Sequence, residues 1–109
     1  MSSVVELTGV LTLNPGKAER FIALFKNILA HANANEPGTI VYELHVGIPE
    51  KNNGEQVVVA KEMYKDQASM DIHMAGEGVK TILEAMEKEN LIKSSQIIFT
   101  EPLGGRSKI

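Results

Sequence analysis

The stretch Glu62-Met-Tyr-Lys-Asp-Gln-Ala-Ser-Met-Asp-Ile-His73 sets a carboxylate, a phenol and an imidazole within twelve residues. These are the groups used for proton transfer and for holding a developing anion. An imidazole with its ordinary pKa near 6.5 can act as a general base or as a hydrogen-bond donor, so His73 is the leading catalytic candidate. Its structural alternative is a helix-terminal histidine that caps carbonyls. Glu62 and Tyr64 are two residues apart and share one face of a strand with Ala60 and Val58. Tyr64 could bond a substrate oxygen or stack on a ring, or simply pack on the helices as an edge aromatic. Glu62 could orient His73. A carboxylate on a buried face needs a partner, for which a backbone N–H or a lysine is the structural expectation.

The remaining titratable groups are less suggestive. His31 lies near the end of the first predicted helix, where the dipole favours a cation, and reads as structural. His45 shares a strand face with Glu43. His73 and Glu77 are four apart, but further ligands are lacking, so no metal and no other cofactor is expected. There is no cysteine, hence no disulfide and no thiolate chemistry. Five methionines, Met70 and Met74 among them, suit a core or a soft pocket wall.

The elements that must position these groups follow from periodicity. Residues 4–13 alternate, with Val5, Leu7, Leu11 and Leu13 on one face of a strand; Gly9 marks a bulge or a close approach. Asn14-Pro-Gly stops that strand, and Asn14 is the expected cap of a helix over 16–33. Glu36-Pro-Gly38 turns the chain into a second strand, 39–46, with Ile40, Tyr42, Leu44 and Val46 on one face. A polar loop at 49–54 leads to a third strand, 55–64. Asp66 caps a short helix carrying Ala68, Met70 and His73. Gly76 and Gly78 break it from a second helical stripe of Val79, Ile82, Leu83 and Met86. A last strand covers 96–100, and a flexible tail begins at about residue 102.

The order is β-α-β-β-α-β with the second helix split, which is the ferredoxin-like arrangement: an α+β antiparallel sheet with helices on one face. At 109 residues the chain has the length of a single domain, residues 1–109. Val4, Val10, Val41, Val57 and Val59 fall on the sheet face that the helices leave bare. Pairing two such faces would bury them, so a homodimer through the sheet is expected. The net charge is −3 and the eleven basic residues are scattered, with only Arg106 and Lys108 close together at the end. That excludes a nucleic-acid footprint. No apolar run is long enough to cross a bilayer and the N-terminus lacks a signal pattern, so the expected location is cytoplasmic, with no membrane partner.

Residues 62–79, together with Glu36-Pro-Gly-Thr-Ile-Val-Tyr-Glu43, resemble the antibiotic biosynthesis monooxygenase domain family. In that family a Pro-Gly turn and a Tyr-Glu strand precede a strand ending Glu-x-Trp. A His-bearing helix and a small-residue break follow, with a second His nearby. Here the strand ends Glu62-Met63-Tyr64, the helix ends Ile72-His73, and the break is Ala75-Gly76-Glu77-Gly78. Tyr64 stands at the usual tryptophan and Gly78 at the second histidine. The resemblance implies a dimeric ferredoxin-like α/β barrel and a cavity between sheet and helices. It makes Tyr42, Met70, Met74 and Val58 the expected substrate contacts.

The activity it implies is oxygenation of a small electron-rich aromatic, a quinol or anthrone, by dioxygen without metal or flavin. His73 would then be the base or oxyanion donor, Tyr64 the orienting phenol and Glu62 the polariser. The alternatives are isomerisation of a small signal metabolite and a non-catalytic dimer that binds a small metabolite. Haem degradation, which similar proteins perform with a tryptophan-containing set, is disfavoured in a chain without tryptophan.

Overall fold

The computed structural model describes residues 3–105. Strand β1 is Val5–Leu13, helix α1 Ala18–Asn35, β2 Thr39–Val46, β3 Gln56–Tyr64, α2 Gln67–Met74, α3 Glu77–Lys88 and β4 Ile92–Thr100. The strands form one antiparallel sheet in the order β2-β3-β1-β4, the ferredoxin-like order.

Period-two alternation divides the sheet as the sequence predicts. Leu7, Gly9, Leu11 and Leu13 of β1 and Val58, Ala60, Glu62 and Tyr64 of β3 share the helix-covered face. Against them α1 turns a stripe of Phe21, Leu24, Phe25, Ile28 and Ala32, and α3 turns Val79, Ile82 and Ala85. Burying each large apolar side chain contributes about 1.5–3 kcal/mol, so this sandwich of helix stripes and one sheet face dominates stability. The other face carries Val10, Val41, Val57 and Val59, partly exposed among threonines and charged residues, and no described element covers it. Among the described residues no helix is long and apolar enough to cross a membrane.

Several boundaries differ from the sequence reading. Asn14 does not cap α1. Its amide nitrogen donates to the Asn90 carbonyl, and its backbone N–H donates to the Leu91 carbonyl. Asn14 thus staples the end of β1 to the turn before β4, and α1 starts at Ala18 with no side-chain cap. Ile40 is the extra residue of a bulge between Thr39 and Val41, which leaves it outside the Tyr42 alternation and exposed. Gly9 is not a bulge, since it pairs in unbroken register with Ala60 and Ile97. Strand β4 begins four residues before the predicted start, because a polar stretch, Lys93 to Ser95, suits an exposed edge strand. Gly76 is the N-cap of α3, whereas Gly78 lies inside that helix. Residues 102–105 of the expected tail have no regular structure; residues 106–109, with Arg106 and Lys108, lie outside the described residues.

Candidate functional site

Strand β3 delivers two of the predicted groups side by side. Tyr64 is wholly buried, and its hydroxyl donates to Glu62 Oε1 at 2.5 Å. The partner of the Glu62 carboxylate is therefore a phenol rather than a lysine or a backbone N–H. Burial raises the Glu62 pKa, opposed by the Tyr64 hydrogen bond and by proximity to His73. The Tyr64 phenol is pushed up as well, first by burial and then by Glu62, so it stays a donor.

Helix α2 delivers His73. Its start is fixed by Asp66, whose Oδ1 accepts from the Ser69 backbone N–H at 2.8 Å and from the Ser69 hydroxyl at 2.7 Å. Those bonds hold the Asp66 pKa below the usual carboxylate range. Ser69 in turn lies directly on Gly38, where a Cβ would sit 2.1 Å from the Ser69 Oγ. The Lys65 N–H donates to the Gly38 carbonyl at 2.9 Å, tying the same turn to the end of β3. Only glycine lets the turn and the helix approach this closely.

That approach brings Glu36 to His73. The carboxylate Oε1 lies 2.8 Å from His73 Nδ1 and accepts the Thr39 hydroxyl at 3.0 Å, while Oε2 lies 3.6 Å from His31 Nε2. Glu36 and His73 are both buried. A carboxylate beside Nδ1 fixes the tautomer with the proton on Nδ1 and leaves Nε2 as the basic nitrogen. The group that orients His73 is therefore Glu36, not Glu62. Sequence reasoning treated Glu36 as a turn residue, although a signal was present. A carboxylate at the C-terminal end of α1 opposes the helix dipole and requires a compensating partner. His31, expected to serve the helix end alone, is part of that compensation, and His45 pairs with Glu43 at 2.9 Å on the bare sheet face.

A cavity of about 250 Å³ opens between the sheet and the helices. Tyr42, Glu62 and His73 form its polar end, Met70 and Met74 of α2 contribute wall, and Gly9 and Ala60 form part of the floor. Leu83, Ile97 and Phe99, all exposed, also line it. The Tyr42 ring stacks on Phe25 at 5.3 Å and meets the His73 ring edge-on at 4.5 Å. Burial, with the charges of Glu62 and Glu36, pushes the Tyr42 phenol up, so it too stays protonated. Of the predicted contacts, Val58 is sealed in the core and Tyr64 lies behind Glu62; neither lines the cavity. The phenol that lines it is Tyr42.

Three polar atoms at this end have no protein partner among the described residues: His73 Nε2, the Tyr42 hydroxyl and the second oxygen of Glu62. No buried polar side-chain atom is left unsatisfied among the described residues, so all three must reach open space. The open space beside them is the apolar cavity. Such an arrangement suits a small molecule with an apolar body and a polar group at one end. Gly78, the position of the resembling family's second histidine, packs against α1, where a Cβ would lie 3.0 Å from Ile28 Cγ1. Among the described residues no cluster of three or more His, Asp or Glu side chains has metal-binding geometry.

Comparison with known proteins agrees with the fold. The family model described as antibiotic biosynthesis monooxygenase matches residues 5–85. A solved structure of a proposed antibiotic biosynthesis monooxygenase from Caulobacter crescentus CB15 is 24% identical, with a TM-score of 0.79 over 94% of this chain and 92% of that one. A Pseudomonas aeruginosa protein gives 22% identity and a TM-score of 0.78 over 95% and 98% of the two chains. A Shewanella oneidensis protein gives 22% and 0.77 over 92% and 91%. No curated protein matches the sequence.

Proposed function

Since the chain belongs to the antibiotic biosynthesis monooxygenase family, we propose that it binds a small electron-rich aromatic, a quinol or an anthrone, and oxygenates it with dioxygen without metal or flavin. The observation that carries this reading is the set of three unpartnered polar atoms, on His73, Tyr42 and Glu62, at one end of an apolar cavity.

Ground-state dioxygen reacts slowly with closed-shell molecules, so the protein must turn its substrate into an electron-rich anion. His73 Nε2 takes the proton, and Glu36 stabilises the imidazolium that results. The Tyr42 hydroxyl donates to the substrate oxygen on which the charge settles. Glu62, held in place by the Tyr64 hydroxyl, polarises the bound substrate. For an anthrone, two C–H bonds break and a carbonyl forms. One oxygen atom enters the carbon and the other leaves as water, and the substrate supplies all the electrons.

The reading includes a homodimer through the bare sheet face and a cytoplasmic protein. Facing sheets would remove Val10, Val41, Val57 and Val59 from water. Oxygen uptake over a panel of hydroquinones and anthrones tests the reaction. Catalysed uptake that falls in Tyr42→Phe supports it. Saturable binding with no uptake above the uncatalysed rate points to a binding dimer, and a sharp Soret band on adding haem points to haem chemistry.

A further inference from the structure

Gly9 occupies the middle of β1 for no reason that the fold supplies. Its φ is not in the left-handed region and its pairing with Ala60 and Ile97 is regular. A Cβ built on it would meet only the Ala60 Cβ at 3.9 Å and the Leu11 Cδ1 at 4.0 Å, ordinary contact distances. A glycine inside a strand weakens it, and a usual reason to keep one is close approach of a ligand to the backbone. Gly9 is buried, lies on the cavity floor and faces Ala60, so the two smallest side chains of the floor are adjacent.

We propose that Gly9 is the specificity-determining residue of the cavity, leaving room in its floor for the second ring of a fused-ring hydroxyarene, which binds more tightly than a single ring. The proposal rests on the cavity being the substrate site, as argued above. Ala60 is two residues from Glu62 along β3, about 6.6 Å at strand rise. With its hydroxyl held at His73 and Tyr42, a molecule with one ring ends near the polar groups. A second fused ring extends over the backbone of Gly9. Any side chain at Gly9 stands where that second ring lies.

Binding under anaerobic conditions separates this from the proposed chemistry. The probes are 2-naphthol and phenol, titrated into wild type, Gly9→Ala and Gly9→Val and followed by calorimetry. Wild type binds 2-naphthol more tightly than phenol. Gly9→Val weakens 2-naphthol at least tenfold and leaves phenol within twofold. Gly9→Ala shows a smaller loss of the same sign with a Tm no lower than wild type, which keeps the test valid if the valine variant folds poorly. Equal losses for both probes, an unchanged 2-naphthol affinity, or no binding of either by wild type overturns the proposal. Intact size discrimination without oxygen uptake by any fused-ring hydroquinone supports it while contradicting the proposed reaction.

Discussion

His73 Nδ1 and Glu36 Oε1, thirty-seven residues apart in the chain, lie 2.8 Å from each other in a buried pair that joins the end of α1 to the end of α2. The pair leaves His73 one nitrogen to offer the cavity, and it locks two helices to one turn. Breaking either half leaves a buried polar group alone, whereas removing both does not. Glu36→Ala is therefore expected to lower stability by about 3 kcal/mol. Glu36→Leu combined with His73→Phe should lose less than either single substitution. Urea unfolding of wild type, Glu36→Ala, the two single variants and the double variant checks this.

Gly38 is the point on which that pair depends. A methyl group there would overlap Ser69 Oγ at 2.1 Å and Ser69 Cβ at 2.6 Å, so Gly38→Ala must push α2 away from the turn. The expected cost is roughly 1–3 kcal/mol. Ser69→Ala in the same chain should recover only part of it, because Cβ remains, and Ser69→Gly should recover more. Thermal unfolding of the double variants gives the coupling.

Glu62 sets a pH dependence whose sign is fixed. Its pKa is raised on folding above the ordinary glutamate value of 4.5, so the folded state holds the proton more tightly than the unfolded chain. The stabilising contribution is present below the unfolded value and is lost as pH rises through the raised one. Glu62→Gln stays neutral throughout. The difference in Tm between Glu62→Gln and wild type should therefore grow in favour of the variant as pH increases above about 4.5. Tyr64→Phe removes a bond that lowers this pKa, so it should move the loss in stability to higher pH. Melting curves from pH 4 upward, read for all three proteins, test both statements.

The bare sheet face makes a separate prediction. Val10 and Val59 are direct cross-strand partners there. Wild type should sediment as a dimer at micromolar concentration, and Val59→Glu should sediment as a monomer. A monomeric wild type would contradict pairing through the sheet.

The fold was legible in the sequence because its signals are local. Alternation in β1 and β3, the helical stripe of α1 and the Asp66 cap each arise from a few neighbouring residues. What escaped was non-local. Asn14 looked like a helix cap because only the folded chain brings Asn90 and Leu91 beside it. The same holds for the site. Glu62, Tyr42, Met70, Met74 and His73 line the cavity, and period two correctly put Tyr64 beside Glu62. Period two also gave Val58 the cavity face, but the packing of α1 and α3 over that end of β3 seals it. Glu36 was missed because its partner lies on another helix.

In the proposed reaction His73, armed by Glu36, removes a proton from an aromatic substrate so that dioxygen can react with it. The most direct measurement is the rate of dioxygen consumption with an anthrone or hydroquinone that wild type turns over, compared between wild type and His73→Ala. A fall of about 10²–10⁴-fold, the usual worth of a general base, is expected in His73→Ala, with binding of the substrate retained. Undiminished oxygen consumption by His73→Ala would contradict it.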